Sequence, residues 1–174
     1  MVLVASLLAF GALWYAISEG IDKKGAHFHP LFQLQLFGLN GAFLTGDLFN
    51  LFVFFEILLL ASYSLLLHAK GEGRVKAGLH YVVINLVGST LFLFAVGTLY
   101  GILGTLNIAD LSQKVAHLSP ENVSIVASAG LLLLIVFGLK AAMFPLYFWL
   151  PNAYGKTSAP VAALFAIMTK VGIY

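Results

Sequence analysis

The chain contains no cysteine, and charged residues make up only 9% of its 174 residues. The absence of cysteine excludes disulfides, thiolate zinc sites and cysteine-ligated iron–sulfur clusters. A soluble domain carries about 25% charged residues, so the low charge excludes an ordinary water-exposed surface. The net charge of +2 is small and scattered along the chain, and it therefore does not favour nucleic acid as a partner.

Motifs of bond-making chemistry are also missing. The sequence has no Gly-rich phosphate loop, no metal-spaced set of His and Asp, and no nucleophile with a neighbouring base. We therefore predict no metal, no cofactor and no enzymatic activity of the chain itself. What the sequence does have is apolar length, since 61% of its residues are hydrophobic. This composition predicts a multi-pass protein embedded in a lipid bilayer.

Six apolar segments approach the roughly 20 residues that a helix needs to cross a bilayer. They lie at 1–18, 31–46, 48–69, 77–104, 124–154 and 159–174. The first lacks the basic region and cleavage site of a signal peptide, so we interpret it as a transmembrane helix. The sequence thus predicts an all-α, polytopic transmembrane bundle with about six membrane segments.

Two polar residues have the positions of helix caps. Asp47 precedes the third segment, and Asn107 precedes a short polar helix expected within the connector 105–123. On the fourth segment, Gly78, Tyr81 and Asn85 belong with Gly88 to a stripe of small and polar residues, which indicates helix packing more than ion contact.

The fifth segment is too long for one straight span and contains Pro145 and Pro151. Proline removes a backbone donor and breaks or kinks a helix, and Lys140 lies five residues before the first of the two. Many transporters build a midplane ion site at such a break. We expect residues 141–145 to be non-helical and, because irregular backbone at membrane depth needs polar partners, buried in protein.

Three ionisable residues, Glu56, Lys140 and Lys170, stand near the middle of apolar runs. A charge at the centre of a membrane helix costs roughly 2.5–3.5 kcal/mol on insertion scales. Such residues normally face the bundle interior or a water path, and they mark ion or proton routes. Simpler interpretations are a carboxylate kept neutral by burial for Glu56, a lysine that snorkels to the surface for Lys140, and an artefact of a cut end for Lys170.

The surroundings of Lys170 and of two histidines bear on the proton route less directly. Lys170 shares a helix face with alanines 159, 163 and 166, and such small residues predict a tightly packed face with the lysine directed into protein. His68 and His80 flank the basic segment 70–76. Either they are interfacial side chains or they belong to a proton relay.

A glutamate and a lysine in one dry bundle have a physical use. A buried lysine tends to lose its proton, whereas a nearby carboxylate favours the protonated form. Moving the carboxylate toward or away from the amine would therefore drive proton uptake and release. We expect Glu56 and Lys140 to lie within ion-pair distance or to be separated by one water.

The basic residues predict an orientation. If the N-terminus lies outside, the cytoplasmic loops contain six of the loop cations and the outer connector contains Lys114 alone, a strong positive-inside bias. The six are Lys23, Lys24, Lys70, Arg74, Lys76 and Lys156.

Three stretches resemble the antiporter-like membrane subunits that Mrp-type sodium/proton antiporters and respiratory complex I share. They are GDLFNLFVFFE at 46–56, LKAAMFPLYFWLPNAY at 139–154 and SAPVAALFAIMTKVG at 158–172. The resemblance implies an inverted-repeat transporter fold, of which residues 28–174 would be the first, C-terminally truncated repeat and 1–18 a preceding transmembrane helix. It also implies a proton path through Glu56 and Lys140, with Lys170 as the next relay, in a subunit of the cell (inner) membrane. Tyr147 and Phe148 replace the His-bearing variants that are usual in this family.

Three functions remain open from the sequence. The first is a proton-translocating subunit of a Na⁺/H⁺ antiporter, with other membrane subunits, protons and monovalent cations as partners. The alternative is a proton-pumping membrane-arm subunit of a complex I-like NADH:quinone oxidoreductase or a membrane-bound hydrogenase. The third is an inert truncated product or an assembly scaffold. Neighbouring genes would separate the first two.

Overall fold

The computed structural model describes residues 1–68 and 72–174, with the backbone alone at 72–74 and 77. This part of the chain is all-α, as predicted, and its α-helices follow one another in chain order. They are α1 (Val2–Ser18), α2 (Phe28–Leu44), α3 (Leu48–Leu66), α4 (Glu72–Leu103), α5 (Ile108–Ala116), α6 (Val123–Lys140), α7 (Leu150–Lys156) and α8 (Ala159–Ile173).

The two predicted helix caps are confirmed, and they lie side by side. Oδ1 of Asp47 accepts hydrogen bonds from the backbone N–H groups of Phe49 and Asn50 at 2.8 and 2.9 Å. Oδ1 of Asn107 does the same for Ala109 and Asp110 at 3.1 and 3.3 Å. An isolated antiparallel bridge joins Asp47 to Asn107. The starts of α3 and α5 are therefore fastened to each other.

Two helices begin earlier than the sequence indicates. Helix α2 begins at Phe28, so Pro30 lies in its first turn, where a missing backbone N–H costs nothing. Helix α4 begins at Glu72, so residues 72–76 of the basic segment are helical. Glu, Arg and Lys are good helix formers, so charge alone does not end a helix. Lys70 lies outside the described residues.

The helices of the predicted apolar segments differ in length and apolar character. Among the described residues, three helical stretches are long and apolar enough to cross a membrane: Leu48–Leu66, Gly78–Leu103 and Pro120–Lys140. The helices Val2–Ser18 and Ala159–Ile173 are apolar but shorter. Helix α2 is not among these candidates, because Gln33, Gln35 and Asn40 dilute its apolar character. It packs closely on α3 instead.

Small residues set the closest helix contacts. A Cβ on Gly38 of α2 would lie 2.7 Å from Cβ of Leu58 on α3, so the two backbones approach as only glycine allows. Helix α1 buries an alanine face (Ala5, Ala9, Ala12 and Ala16) and packs against α8 and α2. Helix α4 packs against both α3 and α6 and so lies between them. This arrangement positions the candidate site.

Candidate functional site

The end of α6 is a tight reverse turn directly after Lys140. Ala142 has a left-handed backbone with φ of 53°, and its N–H donates to the carbonyl of Leu139 at 3.1 Å. The N–H of Met143 donates to the carbonyl of Gly138 at 2.9 Å. This pair of bonds is a Schellman motif, which satisfies carbonyls that a helix end leaves free. Lys140 is thus the last residue of α6.

Trp149 closes the turn from the inside. Its indole Nε1 donates to the carbonyl of Leu139 at 3.0 Å, and only 1% of the residue is exposed. Its ring lies 5.3 Å from the ring of Tyr81 on α4. The backbone between Lys140 and Leu150 is non-helical, as predicted, and Pro145 lies within it. Pro151 instead lies in the first turn of α7 and marks no break of its own.

The outer side of this turn is not buried, contrary to our expectation. Met143 is 51% exposed and Phe144 is 86% exposed, and Pro145 is exposed beside them. The chain reverses so that Trp149 packs inward on α4, which turns the opposite side of the loop away from the bundle. The irregular backbone is therefore covered by this chain on one side only.

Glu56 and Lys140 are brought to opposite sides of one serine. The hydroxyl of Ser89, on α4, donates to Oε1 of Glu56 at 2.5 Å. The ammonium of Lys140 donates to the same Oγ at 3.3 Å. A serine hydroxyl thus occupies the place for which we predicted a direct contact or one water. The ion pairs found within the described residues are His29–Asp22 and Lys114–Asp110, so Glu56 and Lys140 do not pair directly.

Burial differs across this bridge. Lys140 and Ser89 are 4% and 6% exposed, whereas Glu56 is half-buried. The ammonium also lies 5.3 Å from the centre of the Phe55 ring, a cation–π distance. Val53 and Leu60, one turn to either side of Glu56, are 38% and 60% exposed. The lysine is therefore enclosed by this chain, while the carboxylate borders its outer surface.

Gly88 allows α6 to end close to α4. A Cβ at this position would lie 2.7 Å from Cδ2 of Leu139 and 3.8 Å from Cε of Lys140. The stripe of small residues that the sequence suggested for packing therefore also serves the site, because it makes room for the lysine stem.

Lys170 does not lie in a packed interior, which corrects the sequence prediction. It is exposed on α8, and on its face Ala159 is exposed and Ala163 is half-buried. The buried face of α8 contains the larger apolar residues, among them Leu164 and Phe165. Burying larger side chains removes more apolar area from solvent, so within this chain they form the most buried face of α8, and the alanine face is only partly covered.

The two histidines lie away from the pair. His68 is 7% exposed, and its Nε2 lies 3.1 Å from the carbonyl of Ile21, in the loop after α1. It follows Glu56 by twelve residues, about 18 Å along a helix. His80 is exposed, and its ring contacts Phe148 at 6.1 Å. The structure therefore brings neither histidine to Glu56 or Lys140.

Ser89 is the residue that the sequence reasoning missed, and a signal for it was present. Tyr81, Asn85 and Ser89 are spaced by four residues, so they share one face of α4. All three are buried. Following the polar stripe from Asn85 by four residues rather than three would have led to Ser89.

A second group of buried polar atoms lies along the same helix face. The hydroxyls of Tyr81 and Ser62 are 3.0 Å apart, and the Tyr81 hydroxyl lies 3.4 Å from the sulfur of Met168. Gln35 is fully buried beside Met168, with its Nε2 4.0 Å from the sulfur. Its Oε1 has no hydrogen-bond partner. Polar atoms thus continue beyond Ser89 into the bundle.

Comparison with known proteins identifies the family of this chain. The family model described as NADH:quinone oxidoreductase/Mrp antiporter, TM, matches residues 45–174. The chain is 55% identical over its whole length to a probable K⁺/H⁺ antiporter subunit of Rhizobium meliloti, of which it covers 32%. It is 45% identical to a Na⁺/H⁺ antiporter subunit of Alkalihalophilus pseudofirmus, of which it covers 35%. It therefore spans about a third of the length of these relatives.

Solved structures resemble it as well. A chain of the Mrp complex from Dietzia sp. DQ12-45-1b superposes with a TM-score of 0.88 at 39% identity, covering 98% of this chain and 32% of that one. A chain of respiratory complex I from Thermus thermophilus superposes with a TM-score of 0.75 at 27% identity, covering 98% and 38%. With its apolar helices, the chain is a multi-pass membrane protein, and it belongs to the NADH:quinone oxidoreductase/Mrp antiporter family of membrane subunits.

Proposed function

We propose that this chain is part of the proton-translocating subunit of a multi-subunit monovalent cation/proton antiporter. The observation that carries the proposal is the buried Lys140 ammonium, linked through Ser89 to the Glu56 carboxylate at the end of a broken helix. The names of the relatives, which are subunits of a K⁺/H⁺ and a Na⁺/H⁺ antiporter, support a monovalent cation as the exchanged ion. A buried ionisable pair in a membrane bundle is a functional site by default.

The site would work by changing the distance between carboxylate and amine. Lys140 is the last residue of α6, where the partial negative charge of the helix end favours a cation. Burial opposes the same charge because it removes water from the ammonium. The Glu56 carboxylate adds to the favourable side when it is close. A displacement of the α6 end relative to α3 would then shift the balance and take up or release one proton.

The proposal extends to partners beyond this chain. Glu56 borders the surface of the bundle, and Lys170 is exposed on α8. Charges at these positions would be costly against lipid, so we expect the rest of the subunit or a neighbouring membrane subunit to cover them. Lys170 would then be the next proton carrier after Lys140. Other subunits of the antiporter complex are the expected partners.

A second candidate is a proton-pumping subunit of a complex I-like oxidoreductase. The likeness to Thermus thermophilus complex I favours it, as does a chain of the membrane-bound sulfane sulfur reductase, an archaeal respiratory complex, at 36% identity and a TM-score of 0.77. In such an assembly the same pair would be driven by electron transfer elsewhere. The two candidates differ in the energy source and not in the site.

Transport by everted membrane vesicles tests the proposal. The full-length subunit is expressed within its complex, and a fluorescent ΔpH probe reports proton movement when Na⁺ or K⁺ is added. Lys140→Ala is expected to abolish the signal with assembly intact, and Glu56→Gln to reduce it sharply. Lys114→Ala is the matched control, because Lys114 is a partly exposed lysine paired with Asp110 at 3.4 Å on the short helix α5.

The outcomes separate the candidates. Normal transport by both Lys140→Ala and Glu56→Gln would contradict the proposed site. Proton movement that requires an electron donor, and that does not respond to added Na⁺ or K⁺, would favour the oxidoreductase.

The orientation of the chain is a further part of the proposal. With the N-terminus outside, Lys156 lies on the cytoplasmic side and the connector 105–123 lies outside. The single substitutions Lys156→Cys and Gln113→Cys test this, because the chain has no cysteine of its own. In right-side-out vesicles, an impermeant thiol reagent should label position 113 at least ten times faster. Faster labelling at position 156 would reverse the orientation.

A further inference from the structure

We propose that the Ser89 hydroxyl carries the proton between Lys140 and Glu56, as a built-in replacement for a water molecule. The inference rests on the proposed function, since it assigns a step within the same site. Ser89 is one of the few groups placed to do this, because α4 lies between α3 and α6. Its Oγ is within hydrogen-bond distance of both charged side chains.

The two hydrogen bonds have the direction that a proton relay needs. Ser89 has one hydroxyl proton, and it donates this proton to Oε1 of Glu56. The oxygen then has free lone pairs, and one accepts from Nζ of Lys140 at 3.3 Å. Donor, relay and acceptor therefore follow one another in the order amine, hydroxyl, carboxylate.

The two threonine hydroxyls on the same helix do not behave in this way. Thr90, the next residue, donates to the carbonyl of Leu86 in its own helix at 2.9 Å. Thr98 donates to the carbonyl of Phe94 at 2.8 Å. This i to i−4 bond is the usual arrangement of a hydroxyl residue inside a helix. Ser89 directs its single proton to another helix instead, which a merely packed serine has no need to do.

The transfer is balanced in atoms and charge. The Lys140 ammonium gives one proton to Oγ of Ser89 while the Ser89 hydroxyl gives its own proton to the Glu56 carboxylate. The products are a neutral amine, an intact hydroxyl and a neutral carboxylic acid. One N–H bond of Lys140 and one O–H bond of Ser89 break. One O–H bond forms on Ser89 and one on Glu56, and no electron is transferred to another molecule. Removing both charges from a dry site offsets their desolvation.

The longer of the two bonds is the one that opens and closes the relay. Nζ lies 3.3 Å from Ser89 Oγ, at the long end for an N–H···O bond. The centre of the Phe55 ring lies 5.3 Å from the same Nζ and offers the ammonium a cation–π position. A small movement toward Phe55 would break contact with Ser89 and leave the serine bonded to Glu56.

Substitution of Ser89 in the full-length subunit, within its assembled complex, tests the relay. Ser89→Ala removes the hydroxyl, and we expect cation-dependent proton transport in everted vesicles to fall at least tenfold. Ser89→Thr keeps the hydroxyl, and transport should stay within threefold of wild type. Thr90→Ala is the matched control, because it removes a neighbouring hydroxyl that serves only its own helix. Assembly is checked by co-purification of the complex.

Each result decides the question. Normal transport by an assembled Ser89→Ala complex would overturn the relay, as would an equal loss in Ser89→Ala and Ser89→Thr. If the alanine variant does not assemble, Ser89→Cys replaces it. The thiol has nearly the same size and is a weaker donor, so transport should fall severalfold with a changed H₂O/D₂O rate ratio; an unchanged rate and ratio would overturn the relay.

The failure of the relay differs from failure of the proposed function. If Lys140→Ala abolishes transport while Ser89→Ala leaves it normal, the site stands and the relay alone is wrong. If Lys140→Ala also transports normally, the proposed function is wrong.

Discussion

Helices α6 and α8 each carry a lysine, Lys140 and Lys170, and the two helices contact each other near these residues. A Cβ on Gly172 of α8 would lie 2.8 Å from the backbone N of Ala141, directly after Lys140. Yet Lys140 is 4% exposed and bonded to Ser89, whereas Lys170 is exposed. The difference comes from the neighbouring helix α4, because its Ser89 presents a hydroxyl to Lys140. Within this chain, the lysine for which a neighbouring helix offers a hydrogen-bond partner is enclosed, and the other is not.

The largest effect on stability should come from removing Glu56, which leaves the enclosed Lys140 without its carboxylate. Glu56→Ala leaves the Lys140 ammonium buried with only the serine as partner, and we expect a loss of about 3 kcal/mol in the free energy of unfolding. The double variant Glu56→Ala/Lys140→Met removes the buried charge as well and should recover at least half of that loss. Unfolding of the purified complex in detergent, or its expression level, measures both. Additive losses would show that the two residues are independent.

Lys170→Ala should lower the stability of the subunit less than a change at the Glu56–Lys140 pair does. Because Lys170 is exposed in this chain and only the rest of the subunit or a neighbouring subunit would cover it, we expect the substitution to cost about 1 kcal/mol or less in stability. If Lys170 is the next proton carrier, transport in everted vesicles should still fall about tenfold. A large loss of stability would instead indicate that another part of the subunit encloses Lys170 as tightly as α4 encloses Lys140.

The contact between α6 and α8 at Gly172 can be disturbed directly. Gly172→Leu would place a Cβ 2.8 Å from both the Ala141 nitrogen and the Phe137 carbonyl oxygen, so α8 must move away from α6. We expect a loss of about 1–3 kcal/mol, as for other overpacked contacts. Gly130→Leu on α6 is the matched control, because nothing lies within 4 Å of its added Cβ. Equal losses for both variants would mean that the close contact has no special importance.

The smallest effect concerns the turn after Lys140. Ala142 adopts a left-handed conformation with φ of 53°, which costs an L-residue roughly 1 kcal/mol relative to glycine. Ala142→Gly should therefore raise the unfolding free energy by up to about 1 kcal/mol and leave transport unchanged. Ala166→Gly, in the interior of α8, should lower it by a similar amount. Thermal unfolding of both variants checks the opposite signs, and equal signs would contradict the strained turn.

The features that the sequence predicts correctly are those that depend on neighbours along the chain. The caps Asp47 and Asn107 act on backbone groups two and three residues away. The break after Lys140 follows from length and from Pro145. Local chemistry determines such features, so a single sequence contains enough information to find them.

The features that it misses depend on which helices meet. Helical spacing places Lys170 on the alanine face of α8 correctly, but it does not tell whether that face or the Leu164 face packs. Ser89 looks like any helical hydroxyl until α3 and α6 are known to lie on either side of it. Both questions are decided by the areas and partners of other helices, and a pattern within one helix does not contain them.

The bridge between the caps Asp47 and Asn107 anchors the start of α3, the helix that carries Glu56. Asp47 fixes the start of α3, and the bridge to Asn107 ties that start to the chain that follows α4. Glu56 lies nine residues beyond the cap, about 14 Å along the helix. Because the start of this helix is anchored, the position of Glu56 along α3 is anchored as well. Lys140, in contrast, is the last residue of α6 and precedes a non-helical loop that is exposed on one side. If the proposed cycle alters their separation, we expect Lys140 to move and Glu56 to stay in place.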